Sequence, residues 1–520
     1  MNRNPPQAAE DSRLSSSTPY LDQILDGGWL RGGLYILTGP PGTGKTTLAN
    51  QMCFHLAKQG EPAVYVTMLT ESHSRLLLHL RTLEFFESDL VGTRVHYVSG
   101  VHALKAGGAH GLLELLTQVM RDKAARLLVI DGFTVVRERI LAHVELREFL
   151  LALSVRASLT ACTILLLSSE EGPGADVEHV MADGILSLTT EHVGLKSTRG
   201  LEVIKFRGSN NLPGKHTFTI DTHGVSVYPR FEALNPDNSE QVTDSDRRSR
   251  WGIAGLDAMC GGGLVTLSST LLMGSPGGGK TLLGLHFLVE GARHGEGGLY
   301  FGFAERRGQL LRKGDCVGLP LRELEASGAL RLETRAPVET LPDAMAQELL
   351  ELVDAHHYRR VVLDGLEPFA REAMDPGRAP RFVAALLNAL RDREVTVLLT
   401  QQPNELFGPA LHSPIRGVDA LCDNLLFLRF FEVGGRLHRL ISVLKMRDSD
   451  NDPYLRELAI SARGVEVREG YPTLDALITG QPRPREDPKA VGPDGRPRKS
   501  RRVPAKKKTA PARPRGRKPR

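Results

Sequence analysis

The chain has 520 residues with 41% apolar and 24% charged, a globular balance at a length too great for one ordinary core, so two domains of about 230 residues plus tails are expected. Five scattered cysteines, Cys53, Cys162, Cys260, Cys316 and Cys422, form no C-x-x-C pair, which argues against a disulfide framework or a cysteine zinc site, and the lack of a signal-peptide core or a membrane-length apolar run makes a soluble cytoplasmic protein with no membrane partner the expectation. The net charge of +5 divides unevenly: residues 481–520 hold 16 Lys+Arg against 3 Asp+Glu, or +13, which leaves −8 on the rest.

Residues 1–17 are polar, with prolines and serines, and are expected to be disordered. A Gly-rich lead-in, Tyr20 to Leu30, runs into a short apolar strand over 34–37 and then into Gly39-Pro40-Pro41-Gly42-Thr43-Gly44-Lys45-Thr46. This is G-x-x-x-x-G-K-[ST], in which glycines let backbone N–H groups turn inward around phosphates, the lysine reaches the β/γ-phosphates and the hydroxyl ligates Mg²⁺. A helix over 48–58 follows, with Thr47 just before it as a further nucleotide-binding candidate, and its N-terminus adds the positive end of the helix dipole. A dinucleotide G-x-G-x-x-G loop would have no use for the Lys-Thr pair.

The next strand carries Tyr65-Val66-Thr67 towards Glu71, a carboxylate placed to orient or deprotonate the attacking water; the plainer reading is a solvent-facing glutamate at a helix start, favoured by the dipole. An apolar strand ends at Asp131, the acid expected behind Mg²⁺, although a strand-terminal Asp also serves as an ordinary cap. A helix over 146–154, a strand over 163–168 and Lys205-Phe206-Arg207 complete the unit. Alternating strands and amphipathic helices argue for an α/β fold with a mostly parallel sheet.

Residues 232–250 are polar and read as a linker. The same order then repeats. The second lead-in, Gly252 to Leu264, precedes a strand over 270–273 and the cradle Gly274-Ser275-Pro276-Gly277-Gly278-Gly279-Lys280-Thr281, with Leu282 opening a helix over 282–293. Glu305 answers Glu71, Asp364 answers Asp131, a helix over 382–391 and a strand over 396–401 follow, and Lys445-Met446-Arg447 answers Lys205-Phe206-Arg207. The two Lys-x-Arg elements are read as cations reaching across a subunit boundary to a neighbour's nucleotide, as arginine fingers do; the alternative is a solvated strand edge. The expected domains are therefore 18–231 and 251–480, two tandem P-loop units, followed by a disordered basic tail over 481–520.

Both lead-ins, both cradles, both Asp strands and both Lys-x-Arg elements, in this order across residues 17–485, make the chain resemble the KaiC family, the two-domain branch of the RecA-like ATPases. The second half is the more similar, through Glu305-Arg306-Arg307-Gly308-Gln309-Leu310-Leu311 and Leu444-Lys445-Met446-Arg447. The resemblance implies a two-tiered hexameric ring with ATP and Mg²⁺ held between subunits, slow ATPase activity in the first tier and Ser/Thr autokinase activity in the second. The chain departs from the family at two places. Each unit has one glutamate where the family has an adjacent pair, Ala304 replacing the other in the second unit. Asp419 and Ala420 stand where family kinases phosphorylate a Ser-Thr pair, with Ser413 the nearest hydroxyl.

The function expected is an ATP-hydrolysing ring that acts as a regulatory or signalling switch without self-phosphorylation. Three alternatives remain open at this stage: a Ser/Thr autokinase, a DNA-acting motor of the same core, and a non-catalytic nucleotide-sensing scaffold. The acidic body offers no evident basic groove, so nucleic acid or another polyanion is expected only at the tail. Residues 471–480 resemble the family's C-terminal regulatory segment, where a protein partner would dock.

Overall fold

A computed structural model describes residues 12–68, 73–140, 142–169, 175–193, 196–235, 246–336, 341–371, 377–403, 415, 417–433 and 436–469. Two nine-stranded sheets share one strand order. In the first, Val95–Ser99, Ala63–Thr67, Leu127–Asp131, Thr163–Leu167, Leu34–Thr38 and Gly184–Val193 pair in parallel. Lys196–Phe206, Lys215–Asp221 and Gly224–Tyr228 then extend the edge antiparallel. In the second, Leu330–Thr334, Gly298–Gly302, Arg360–Asp364, Thr396–Gln401, Ser269–Gly274 and Asn424–Val433 form the parallel part. Arg436–Met446, Arg456–Ser461 and Gly464–Arg468 form the antiparallel extension. The sequence-expected α/β tandem is thus the fold.

The composition of the strands explains the layering. Leu127-Leu128-Val129-Ile130 and Val361-Val362-Leu363 are buried on both faces, as parallel strands covered by helices on each side must be. Alternate residues feed separate cores: Leu127 and Val129 join the cluster under the helix Lys45–Lys58, whereas Leu128 and Ile130 join that under Val101–Asp122 and His143–Thr160. The helices expected over 146–154 and 382–391 are longer, His143–Thr160 and Arg378–Asp392.

Both antiparallel extensions carry the same irregularity. The register slips between Ile185 and Leu186, which face Lys205 and Val203, and between Leu425 and Leu426, which face Lys445 and Val443. The skipped residues, Ile204 and Leu444, are 56% and 46% exposed. Such a bulge re-aims the side chains beside it, here the lysines of the two Lys-x-Arg elements.

Two expected disordered or linking stretches are partly built into the fold. Within 1–17, Arg13–Leu14 pairs with Trp29–Leu30, Leu14 is fully buried, and Ser16 N donates to Asp22 Oδ1 at 2.7 Å. Backbone donors that find a carboxylate and apolar side chains that find a core hold this arm down. The second unit repeats it, with Arg248–Ser249 against Leu264–Val265 and Trp251 N donating to Asp257 Oδ1 at 2.7 Å. Within 232–250, the first residues belong to the helix Phe231–Leu234. Phe231, 1% exposed, lies in the core of the second unit, and its N–H donates to Asp343 Oδ1 at 2.9 Å. Arg378 closes the join by gripping Glu232 through two bonds of 2.8 and 3.0 Å and contacting Asp343 as well.

Candidate functional site

Each cradle hangs between a buried strand and a helix that starts on its own lysine. Leu34–Thr38 ends just before Gly39, and Lys45–Lys58 begins after Gly42 and Gly44; Ser269–Gly274 reaches Gly274 itself, and Lys280–Arg293 begins after Gly277 and Gly279. Gly44 and Gly279 precede the helices with φ of 104° and 109°, a left-handed conformation that costs a residue with a Cβ roughly 1–2 kcal/mol. Space is short as well. A Cβ on Gly44 would lie 2.5 Å from Ile220 Cδ1, and one on Gly279 would lie 3.1 Å from Ile460 Cδ1, because Lys215–Asp221 and Arg456–Ser461 pass beside the two loops. Thr47 and Leu282 follow in the first helical turns, and Leu282 is buried.

The lysines fold back onto their loops. Lys45 Nζ donates to Gly39 O at 2.5 Å and Pro40 O at 2.9 Å, and Lys280 Nζ donates to Gly274 O at 2.7 Å and Ser275 O at 3.2 Å. Burial lowers the Lys280 ammonium from its ordinary value, an effect that Asp364 and Glu367 oppose.

Across each loop stands the strand-terminal acid. Thr46 Oγ1 donates to Asp131 Oδ2 at 3.1 Å, and Thr281 Oγ1 donates to Asp364 Oδ2 at 2.7 Å. A buried tyrosine one strand over adds a second donor in both units: Tyr65 at 2.6 Å from Asp131 Oδ2 and Tyr300 at 2.5 Å from Asp364 Oδ2. Thr400 Oγ1 also donates to Asp364 Oδ1 at 2.6 Å; at the corresponding place the first unit has Leu167. Burial raises the Asp131 carboxyl, with Tyr65, Thr46 and Lys45 pulling the other way. A hydroxyl and a carboxylate in contact, beside a lysine, are a hard oxygen donor set suited to Mg²⁺. Thr46 with Asp131 and Thr281 with Asp364 would hold it, and a bound cation would favour the charged form of the buried acid.

The second site opens into a cavity of about 780 Å³ lined by Lys280, Thr281, Glu305, Lys313, Asp364 and Glu367, among others, within the range of small-ligand pockets. Glu305 faces this cavity and forms an ion pair with Lys313. Glu71 lies outside the described residues. Arg439 also lines the cavity; its Nε donates to Gly277 O at 3.1 Å and its guanidinium lies over the Phe430 ring.

The Lys-x-Arg pairs sit elsewhere. Lys205 Nζ donates to His179 O at 2.9 Å and Val180 O at 3.2 Å, at the end of the short helix Ala175–Met181. Lys445 Nζ does the same at Val418–Leu421, donating to Cys422 O at 2.6 Å and to the carbonyls of Asp419 and Ala420 at 3.2 Å. Helix C-terminal carbonyls attract cations in this way. Arg207 and Arg447 are exposed, 3.9 and 3.6 Å from Asp183 and Asp423. All four contact these groups rather than the lysine, threonine and aspartate of their own unit. Asp419 is exposed, whereas Ser413 and residues 471–480 lie outside the described residues.

Sequence reasoning missed Tyr65, Tyr300, Thr400, Glu367, Lys313 and Arg439. The tyrosines had a signal, since both precede their strand ends by two residues; Glu367 had one in its position three residues past Asp364.

Comparison with known proteins agrees with the tandem. The family model described as "ATPase: KaiC" matches residues 14–232 and again 249–471. The chain is 28% identical to the circadian clock oscillator protein KaiC of a Picosynechococcus species over 89% of this chain and 90% of that protein. It is 27% identical to the protein of the same name from Synechococcus elongatus, over 91% and 92%, and 27% identical to that from Thermostichus vulcanus, again over 91% and 92%. With both units matched to one ATPase model and the fold repeated strand for strand, the chain belongs to the KaiC family.

Proposed function

We propose that the protein binds Mg-ATP at both cradles, hydrolyses it, and works as a ring-forming regulatory switch that does not phosphorylate itself. The observation that carries this reading is the recurrence, in both units, of a lysine bonded to its Gly-rich loop beside a hydroxyl bonded to a strand-terminal aspartate. Positioning and charge neutralisation are what phosphoryl transfer asks of a protein, and both loops carry groups for each. Lys45 and Lys280 hold loop carbonyls that an entering phosphate would displace. Thr46, Asp131, Thr281 and Asp364 would hold the cation, which supplies neutralisation of the developing charge.

Ring formation is supported by the four exposed or half-exposed cations Lys205, Arg207, Lys445 and Arg447, whose strands are bulged at the same place and which lie apart from their own nucleotide groups. A neighbouring subunit's nucleotide gives them a role. The absence of self-phosphorylation is supported by Asp419 and Ala420 at the acceptor register, with Lys445 anchored on their backbone. The clock role in the relatives' names is theirs; what carries over here is the ATP-driven switch.

Incubation with γ-labelled ATP, following label into free phosphate and into protein together, tests the reading. Phosphate release with unlabelled protein is expected, and ring mass should depend on ATP and fall in Lys45→Ala. Stable label on the protein would restore the autokinase; neither release nor label would leave the nucleotide-sensing scaffold.

A further inference from the structure

We propose that Glu367 is the carboxylate that positions and deprotonates the attacking water in the second site. The inference rests on the hydrolytic reading above and assigns a group to it.

Ala304 carries no carboxylate beside Glu305. One glutamate, Glu305, remains on that segment, and the structure commits it to Lys313 on the helix Arg307–Cys316. That ion pair holds one Glu305 oxygen on an ammonium, whereas the bond that holds Glu367 comes from a neutral N–H. Glu367 lines the same cavity from a different strand end, three residues beyond Asp364 and at the start of Glu367–Arg371. Its Oε1 accepts the N–H of Gln402 at 2.8 Å, which fixes the side chain against the end of the neighbouring strand Thr396–Gln401. Among the described residues its Oε2 has no hydrogen-bond donor. Glu367 and Lys280 line the same cavity. Because Lys280 is the group that reaches the β/γ-phosphates, the terminal phosphate comes to lie in the cavity that Glu367 lines.

The step balances without another reagent. The water oxygen forms a bond to the γ-phosphorus, the bond from that phosphorus to the β–γ bridging oxygen breaks with its electron pair leaving on ADP, and the water's proton passes to Glu367 Oε2. The proton then leaves to solvent or to the released phosphate. The first unit carries Thr134 at this place, bonded to Ser169 Oγ at 3.1 Å and accepting Ser169 N–H at 3.1 Å, so the two sites would activate water by different groups.

The test uses the full chain with its first site disabled by Asp131→Asn, which leaves Lys45 in place for ATP-dependent assembly. Glu367→Gln keeps an oxygen for the Gln402 N–H but cannot take the proton, so the structural bond and the chemistry separate. Expected is a fall in kcat of about 100-fold or more, with KM and the melting temperature unchanged, and partial recovery in Glu367→Asp. A Glu367→Gln chain within threefold of its background, with Glu305→Gln inactive instead, overturns the assignment. Should the parent chain release no phosphate, the hydrolytic reading fails; trapping of ADP with magnesium and aluminium fluoride, which mimics the γ-phosphoryl and its in-line water, then decides for Glu367. Retention in the parent but not in Glu367→Gln supports the assignment, and equal retention or none in either overturns it.

Discussion

His216 shows how a single residue can set a pH limb. It is fully buried, its Nδ1 accepts the N–H of Arg230 at 2.9 Å, and its Nε2 faces Leu212 O at 3.2 Å. That pattern needs the neutral ring with its proton on Nε2. Burial pushes its pKa down to about 4, against roughly 6.5 in an unfolded chain. Between those values the unfolded chain binds the proton and the folded one does not, so stability is complete above pH 6.5 and is lost as pH falls towards 4. His286 is lowered to about 4 by burial as well and adds to the same limb. In His216→Gln, whose amide can both accept from Arg230 and donate to Leu212, denaturant titrations across this window should show a slope smaller by about one proton, worth up to roughly 3 kcal/mol at pH 4. An unchanged slope would mean that His216 takes up its proton without unfolding. At the same scale, Lys45, Thr46, Lys280 and Thr281 were legible because their chemistry depends on fixed spacing along the chain. Tyr300 and Thr400 were not, because they meet Asp364 only after 64 and 36 residues of intervening chain have been folded between them.

At the scale of elements, the parallel strands were readable from their unbroken apolar runs, several to the residue: Leu127–Asp131 and Thr396–Gln401 are as expected. The antiparallel extensions were hidden beyond their Lys-x-Arg ends, since half-exposed strands mix polar and apolar residues and their pairing is decided by neighbours that lie far off in the sequence. Their importance lies in what they touch. Ile220 and Phe218 pack over Gly44, so Gly44→Ala meets both an unfavourable backbone and a side chain 2.5 Å away. We expect a loss of about 2–3 kcal/mol by chemical denaturation. Ile220→Ala in the same chain should recover the steric part, making the double variant less costly than the sum of the two; strict additivity would show that the contact is relaxed at no cost. Gly279→Ala, with 3.1 Å of clearance, should lose less.

Across the whole molecule, the first unit ends inside the second. Arg378 is 14% exposed at its side chain, Glu232 13% and Asp343 1%, and burial raises the Asp343 carboxyl despite Arg378. Removing one partner of such a buried cluster strands the others. Arg378→Ala should therefore destabilise the chain by about 3–5 kcal/mol and split one calorimetric transition into two; a single transition at the parent temperature would show that the cluster does not join the units. Sequence reasoning saw only polarity over 232–250 and read a linker, because Glu232 and Arg378 are 146 residues apart and neither announces a partner. The placement of Phe231 in the neighbouring core has a genetic consequence. The units are joined by packing as well as by peptide bonds, so a gene divided between the codons for Asn235 and Asp246 would yield two polypeptides already equipped to recognise one another, the first carrying on its end the side chain that completes the second.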